Sequence, residues 1–243
     1  YFIVFFMMVN HVRNRAQVKR FVLFLFLTAF IVTVIGMFQI PGGERLSAPF
    51  EGEGGEPNTF GGYLLFIGMT AAGMAIKIKD PRMRSLLLFF VLCLVPPFFF
   101  TQSRSSYLAL IPAGMTLALM TEKRVIILGL VSVALLLSPL FLPSVVKQRI
   151  LYTFNQPQEP DQIVIGDLRL DTSTSARLQS WKDALRDFQK HPLLGHGVTG
   201  YPFVDAQFPR VLVETGVFGL VAFLYLLYSV FSLALRHLRE TEE

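Results

Sequence analysis

Long apolar blocks follow one another along the chain, separated by segments rich in polar residues. The blocks are Phe21–Ile40, Phe60–Ile76, Ser85–Phe100, Tyr107–Met120, Val125–Leu142 and Val211–Leu235. About 20 apolar residues carry an α-helix across the hydrocarbon core, and shorter blocks can tilt or recruit flanking residues, so each block is predicted to be a transmembrane helix. The pattern therefore predicts an all-α, polytopic transmembrane helix bundle.

Basic residues cluster in every second connection between these blocks. They are Arg13, Arg15, Lys19 and Arg20, then Lys77, Lys79, Arg82 and Arg84, then Lys123 and Arg124, and finally Arg236, His237 and Arg239. Short loops rich in Lys and Arg stay in the cytoplasm. The alternation therefore places the other connections, Pro41–Thr59, Thr101–Ser106 and Pro143–Arg210, on the non-cytoplasmic face.

The same pattern divides the chain into three regions. Residues 1–142 hold transmembrane helices, residues 143–210 form one long non-cytoplasmic loop, and residues 211–243 hold the last transmembrane helix and a cytoplasmic end. The first apolar segment, Tyr1–Val9, is too short to cross a membrane and begins without Met or a charged leader. We interpret it as the end of a truncated helix in a longer protein, not as a signal peptide.

Within the long loop, Ser175–Lys190 has the pattern of an amphipathic helix. Its apolar residues recur at helical spacing and charged residues surround the rest; the apolar ones are Leu178, Trp181, Leu185 and Phe188. Thr172, Ser173 and Thr174 are the predicted N-caps, and Pro192 is predicted to stop the helix. Such a helix either lies on the membrane surface or packs against the ends of the transmembrane bundle.

Composition agrees with a membrane protein and excludes several other classes. Of 243 residues, 53% are hydrophobic and 24 are Phe, which is not the composition of a soluble domain. The net charge of +5 resides in the short basic clusters, which topology explains without a nucleic-acid partner. Cys93 is the only cysteine, so neither an intrachain disulfide nor a Cys-based metal site is expected.

Arg104 opens an apolar block in the sequence Thr-Gln-Ser-Arg-Ser-Ser, close to where the bilayer is predicted to begin. A guanidinium there is costly unless it is hydrated or paired. One interpretation is an arginine that extends to the lipid headgroups. The other is an anion clamp, because the planar fork of Arg matches phosphate oxygens.

The segment His191–Gly200 contains the pattern Gly-x-Gly-x-x-Gly, but a dinucleotide fold is excluded. That motif requires a strand before it and a helix after it, whereas this one follows a helix and a proline. The glycines are predicted to allow a sharp turn or a close backbone approach. His191 and His196 have no obvious third ligand nearby, so no metal site is expected.

Acidic residues near the last apolar block are further candidates. Asp205 lies just before it, and Glu214 lies a few residues inside it. A carboxylate at membrane depth indicates function by default, and its structural alternative is to accept a hydrogen bond from a neighbouring helix.

With these residues in chain order, the sequence resembles the O-antigen ligase and polymerase family of bacterial envelope glycan enzymes, which share an all-helical, multi-spanning fold. The resemblance extends from about Arg45 to Leu227 and rests on the order and spacing of short motifs. The motifs are Arg45-Leu46-Ser47, Glu56-Pro57-Asn58-Thr59-Phe60, Ser103-Arg104-Ser105, Arg177-x-x-x-Trp181, His191-Pro192-Leu193-Leu194-Gly195-His196-Gly197 and Glu214-x-Gly216-x-x-Gly219-Leu220.

The resemblance implies an inner-membrane glycosyltransferase that acts on the periplasmic face. Its substrate would be a glycan carried on undecaprenyl diphosphate, transferred to lipid A core by a ligase or to a growing chain on a second carrier by a polymerase. Arginines matching Arg104 and Arg177 are the expected diphosphate binders, with Arg45 and Asn58 on the same substrate-binding face. Because the sugar arrives activated, no nucleotide, metal or other cofactor is expected.

The resemblance also orders the candidate catalytic residues. In ligases of this family the start of the helix after the long loop commonly reads His-Asn, whereas this chain has Asp205-Ala206, which favours a polymerase or another glycan transferase. Asp205 is the predicted base, with His191 or His196 as second choice. A straight helix would separate Arg177 from His191 by roughly 21 Å, so the histidines are assigned to the sugar side or to structure.

Two other classes remain open at this point. A transporter or flippase could move the same lipid-linked glycan without making bonds, and Pro96, Pro97, Pro112 and Pro139 do interrupt the predicted helices. Acids and bases are nearly absent from the span centres, however, which favours the enzyme. A structural subunit whose loop docks a partner is the third class, and only the clustering of the motifs argues against it.

Overall fold

The computed structural model describes residues 2–42, 45–49, 55–119, 121, 162–165 and 168–240. They belong to two compact units, unit 1 within residues 1–150 and unit 2 within residues 151–243. Unit 1 contains helices α1 (Phe2–His11), α2 (Arg15–Gln39), α3 (Pro57–Lys77), α4 (Pro81–Phe100) and α5 (Arg104–Leu119), with a 3₁₀ turn at Ile40–Gly42. Unit 2 contains strands β1 (Val164–Ile165) and β2 (Leu168–Arg169) and helices α6 (Thr172–Phe188) and α7 (Gln207–Glu240).

The all-α fold class is confirmed, and among the described residues four helices are long and apolar enough to cross a membrane. They are Arg15–Gln39, Pro57–Lys77, Pro81–Phe100 and Gln207–Arg236. The described part of α5 has 16 residues, or about 24 Å, which is shorter than the hydrocarbon core. The predicted span Val125–Leu142 and the predicted boundary after residue 142 lie outside the described residues.

Capping residues start the helices earlier than hydrophobicity alone indicates. Asn14 forms a capping box with Gln17 and starts α2 at Arg15, six positions before the first residue of the predicted apolar block, Phe21. Glu56 and Asp80 cap α3 and α4, each followed by a proline at the first helical turn. A proline there lacks only an N–H that the helix would leave unpaired.

Helix α3 supplies the centre of the unit 1 core. Its buried residues recur at three- and four-residue spacing and face a matching row on α4; the rows are Phe60, Leu64, Ile67, Ala71 and Ala75, and Leu87, Phe90, Leu94 and Phe98. Gly36 of α2 brings its backbone against the Phe60 ring, which a Cβ would meet at 3.7 Å. Pro96, Pro97 and Pro112 lie inside continuous helices, so the predicted interruptions at these prolines are wrong, while Pro139 lies outside the described residues.

In unit 2, α6 confirms the amphipathic helix predicted within the long loop, but its start differs. Asp171, and not one of the three following hydroxyl residues, is the N-cap, and its carboxylate accepts hydrogen bonds from the Thr174 amide at 3.2 Å and from the Thr174 hydroxyl at 2.7 Å. Antiparallel β1 and β2 precede it, and the buried Ser175 hydroxyl accepts from the Ile163 amide at 2.9 Å. These bonds fasten the start of α6 to the short hairpin.

The apolar face of α6 packs inside unit 2. Trp181 and Ala184 lie against Val204 and against Val213 of α7, and Ala184, Val204 and Val213 are each at most 2% exposed. Of the two predicted locations for this face, the structure therefore shows packing against the start of the last helix. Leu185 is the exception on that face, at 49% exposed.

Helix α7 turns sharply at Gly216, so the predicted single span Val211–Leu235 is not one straight helix. Gly216 has φ 67° and ψ −166°, a conformation open almost only to glycine. In a straight helix Phe208 and Phe223 would lie roughly 22 Å apart, yet their ring centroids are 5.7 Å apart. The part after the corner, residues 217–235, is roughly 28 Å long and spans a hydrocarbon core by itself.

Candidate functional site

In unit 1, Arg45 joins two of the predicted motifs. Its Nε donates to the Thr101 carbonyl at 3.3 Å, and its Nη2 donates to Asn58 Oδ1 at 3.5 Å. The Asn58 side-chain amide in turn donates to Glu56 Oε1 at 2.6 Å. Arg45 and Asn58, predicted to share one face, therefore contact each other directly.

The turn after α4 carries Arg104, the first residue of α5. Ser103 and Ser106 join their hydroxyls at 2.8 Å, and both are buried, as is Thr101. Helix α3 approaches this turn so closely that a Cβ on Gly61 would lie 2.6 Å from the Ser106 hydroxyl. Arg104 therefore follows Thr101, whose carbonyl accepts the hydrogen bond from Arg45, by three residues.

In unit 2, Arg177 and Asp205 form an ion pair across 28 residues of sequence. Arg177 Nε donates to Asp205 Oδ2 at 2.7 Å, and the two side chains remain 39% and 50% exposed. The contact exists because Trp181 and Ala184, on the same helix as Arg177, pack against Val204, the neighbour of Asp205. The structure therefore brings together the predicted diphosphate binder and the predicted base, with both open to solvent.

The loop 192–197 supplies the backbone hydrogen bonds that α7 loses at its corner. The amides of His196 and Gly197 donate to the carbonyls of Val213 and Glu214 at 2.9 and 2.8 Å, and the Val217 amide donates to the Pro192 carbonyl at 2.9 Å. These partners replace the helical bonds that the turn at Gly216 breaks.

Glycines make this loop contact possible. A Cβ on Gly195 would lie 2.4 Å from the Glu214 carbonyl carbon, and one on Gly216 would lie 2.2 Å from the Leu193 carbonyl oxygen. Both have positive φ. Within the Gly-x-Gly pattern, Gly195 thus serves a close backbone approach to a helix of the same chain, whereas a Cβ on Gly197, which has φ 91°, would meet nothing within 4 Å.

The two histidines lie together. Their ring centroids are 4.7 Å apart, and the His196 ring lies 5.4 Å from that of Tyr201. His196 Nδ1 is 3.2 Å from the Val213 carbonyl, which it contacts in the tautomer that carries a proton on that nitrogen. This contact joins the His196 side chain to the corner of α7.

Tyr201 links this pair to a small charged cluster. Its hydroxyl donates to Asp187 Oδ2 at 2.9 Å, and Lys190 Nζ lies 2.6 Å from Asp187 Oδ1. The hydrogen bonds from Lys190 and Tyr201 hold the pKa of Asp187 below its usual range. The pKa of Tyr201 is raised, first by desolvation and then by its bond to Asp187.

Sequence reasoning missed Arg210 as a partner. Its Nε donates to Glu214 Oε1 at 3.1 Å, one helical turn away, and Glu214 is 8% exposed. The guanidinium also lies 5.4 Å from the Phe203 ring centroid. The i, i+4 spacing of Arg210 and Glu214 could have indicated this pair from the sequence. The observed contact shows that Glu214 is paired within its own helix.

Within the part of the chain that the structure describes, no group of three His, Cys, Asp or Glu side chains is arranged to hold a metal ion. Trp181 Nε1 is buried and has no hydrogen-bond partner among the described residues. The described residues therefore provide two polar centres, which are the contacts of Arg45 in unit 1 and the contact of Arg177 with Asp205 in unit 2.

Comparison with known proteins agrees with the motifs. Residues 86–224 match the family model described as O-antigen ligase. The matched region contains Arg104, Arg177, His191, His196 and Asp205, and Arg45 and Asn58 precede it. No curated protein and no solved structure shows a significant match. Because the family model covers more than half of the chain, this multi-pass membrane protein belongs to the O-antigen ligase family.

Proposed function

We propose that the protein is a glycosyltransferase that polymerises or ligates a glycan carried on undecaprenyl diphosphate, on the periplasmic face of the bacterial inner membrane. The observation that carries the proposal is the contact between Arg177 and Asp205 within the family-matched region. It joins a cation suited to a diphosphate with a carboxylate suited to a hydroxyl proton.

In the proposed reaction, a hydroxyl of the acceptor glycan or lipid attacks the anomeric carbon of the carrier-linked sugar. The bond from that carbon to the diphosphate oxygen breaks, and the electron pair leaves with the diphosphate lipid. The acceptor proton passes to Asp205. Cations that stabilise the departing diphosphate supply the electrostatic part of catalysis.

Arg177 is arranged for that role. Its Nε is engaged by Asp205, and the guanidinium carries further N–H donors on its two Nη nitrogens. With 39% of the side chain exposed, a diphosphate can approach the guanidinium from solvent.

In unit 1, Arg104 is a proposed diphosphate binder, and Arg45 and Asn58 are proposed substrate contacts. The bonds of Arg45 to the Thr101 carbonyl and to Asn58 hold the side chains of Arg45 and Asn58 together. His191 and His196 are proposed to orient the sugar side or the loop, because their contacts lead to Tyr201 and to the corner of α7.

Polymerase and ligase differ only in the acceptor, and the presence of Asp205-Ala206 in place of His-Asn favours a polymerase or a related transferase. A transporter of the same lipid-linked glycan would form no glycosidic bond. The test must therefore detect bond formation and then identify the acceptor.

The protein is purified and reconstituted in liposomes with an undecaprenyl-diphosphate-linked oligosaccharide, and the products are separated by chain length. Glycan extension without added nucleotide or metal is the expected result. Arg177→Ala and Asp205→Asn should each lower the rate by about 100-fold or more, because each removes one chemical contribution. Lys182→Ala, on the exposed side of α6, is the matched control and should retain activity.

Unchanged rates in both variants would contradict the site. Movement of the intact lipid-linked glycan across the liposome membrane without bond formation would contradict the enzyme and support the transporter.

A further inference from the structure

A stretch of unit 2 outside the transmembrane helix presents large apolar side chains to the surroundings. Residues 192–204 contain no Asp, Glu, Lys or Arg. Within this stretch Leu193 is 60% exposed and Leu194 is 75% exposed. Exposed neighbouring leucines in an uncharged loop indicate contact with an apolar partner.

The backbone fixes the position of these leucines relative to the membrane. The Val217 amide donates to the Pro192 carbonyl at 2.9 Å, and the Phe218 amide donates to the Leu193 carbonyl at 3.4 Å. Val217 and Phe218 are the first residues of the straight part of α7 that is long enough to span the hydrocarbon core. Leu193 and Leu194 therefore lie level with the start of that span.

Phe208 gives a second, independent position on the same side of the corner. Its ring lies 5.7 Å from that of Phe223 and remains 54% exposed. Phe223 is six residues past Val217, or roughly 9 Å into the span. The first part of α7 thus bends back until Phe208 reaches the apolar surface of the second part.

We propose that Leu193, Leu194 and Phe208, named here the loop edge, insert into the bilayer leaflet at which the straight part of α7 begins. The occupant of this surface is lipid, because Leu193 is bonded through its backbone to Phe218 and the Phe208 ring contacts Phe223, and both partners belong to the membrane span. Phe218 is 64% exposed and Val221 is 58% exposed. Burying such side chains in acyl chains removes apolar surface from water.

This surface goes beyond the proposed glycosyl transfer and does not depend on it. Insertion of the loop edge would also fix the depth of the polar centre of unit 2. Asp205 lies three residues before Phe208 and holds Arg177, so insertion of the loop edge would keep both close to the membrane, where a lipid-linked diphosphate is found.

Site-directed spin labelling tests the proposal. In a Cys93→Ala background, which removes the single native cysteine, Leu194→Cys and Lys182→Cys are labelled and the full chain is placed in phosphatidylethanolamine–phosphatidylglycerol nanodiscs. Collisions of the label with oxygen, which concentrates in the bilayer, are compared with collisions with a water-soluble nickel chelate. The oxygen-to-nickel ratio should be several-fold higher at Leu194 than at Lys182, which is exposed on α6.

Equal ratios at the two positions would overturn the proposal, because Leu194 would then face water. Low collision rates of both reagents at Leu194 would overturn it as well, because the leucine would be covered by protein. Leu193→Cys provides a repeat of the test, since its side chain is also largely exposed and substitution removes no core contact. These collision measurements need no substrate. Membrane insertion can therefore be contradicted while the transferase activity is observed, and insertion can be observed while the transferase activity is absent.

Discussion

The turn between α4 and α5 and the corner in α7 both end a helical path, but they satisfy the exposed backbone in different ways. In unit 1 the turn 101–106 uses hydroxyls of its own residues: the Ser103 amide donates to the Thr101 hydroxyl and the Ser106 amide to the Ser103 hydroxyl, each at 3.3 Å. In unit 2 the corner at Gly216 depends on carbonyls and amides of the loop 192–197, which lies about twenty residues earlier in the chain. The first turn therefore combines local hydroxyls with bonds from Arg45 and Leu46 to the carbonyls of Thr101 and Phe100, whereas the α7 corner is held by several backbone bonds to one distant segment.

The comparison indicates where each unit tolerates change. A side-chain hydroxyl can rotate away from an intruding atom, whereas two backbones in hydrogen-bond contact cannot separate without breaking several bonds. The corner in α7 should therefore be the more sensitive of the two, and the arginine–carboxylate contacts around it should depend on its integrity.

The largest expected effect is that of Gly216→Ala. The new Cβ would lie 2.2 Å from the Leu193 carbonyl oxygen and would occupy a conformation that only glycine adopts readily. We expect a loss of about 3 kcal/mol in the free energy of unfolding. Unfolding by denaturing detergent, followed by circular dichroism, measures it. If Gly216→Ala lowered the free energy of unfolding by less than Gly61→Ala does, the corner in α7 would not be the more sensitive of the two turns.

Arg210→Ala should follow in size. It leaves the nearly buried Glu214 carboxylate without the guanidinium 3.1 Å away, which costs about 1–3 kcal/mol. The double variant Arg210→Ala/Glu214→Ala serves as control, since it removes both charges. The same unfolding measurement should show the double variant less destabilised than Arg210→Ala, and additive losses would indicate that the two residues do not interact.

In unit 1 the matched pair Gly61→Ala and Gly62→Ala measures how tightly the hydroxyl turn is packed. A Cβ on Gly61 would lie 2.6 Å from the Ser106 hydroxyl, whereas a Cβ on Gly62 would meet nothing within 4 Å. We expect Gly61→Ala to cost about 1 kcal/mol and Gly62→Ala to stabilise slightly, because alanine restricts the unfolded chain. Equal effects would show that the turn does not touch α3 closely in solution.

The smallest effect concerns pH and Asp187. Lys190 and Tyr201 lower the pKa of this carboxyl in the folded state, so its contribution to stability is present above the unfolded pKa, about 4, and is lost as pH falls through the lower folded value. The melting temperature of the native protein should exceed that of Asp187→Asn at neutral pH, and the two should converge as pH falls from about 4 through the lower folded pKa of Asp187. A constant difference across this range would exclude the proposed linkage.

The helical, membrane-spanning architecture was predictable because apolar blocks of 16 or more residues leave few alternatives. The amphipathic α6 followed equally from Leu178, Trp181 and Phe188 at helical spacing. Its N-cap did not, since Asp171 and three hydroxyl residues in succession are all acceptable caps and only the geometry selects one.

The candidate site was predictable by residue type but not by pairing. Arg177 and Asp205 were both singled out, yet nothing in their spacing of 28 residues required contact between them. The alternation of charged loops placed Arg45 and Asn58 on one face. Their hydrogen bond depends on how α3 packs against the turn at Thr101, which the sequence does not specify.

The sequence by itself determined the helical class, four helices that can span a membrane and the membership in the O-antigen ligase family, because hydrophobic blocks and short motifs are local properties. Only the tertiary structure decided that Gly216 is a corner, that the loop 192–197 closes it, and that Arg177 is held by Asp205. These depend on backbone groups that every residue carries alike, so side-chain identity does not specify which of them will pair. Glycine marks where such an approach is possible, and the fold selects the partner.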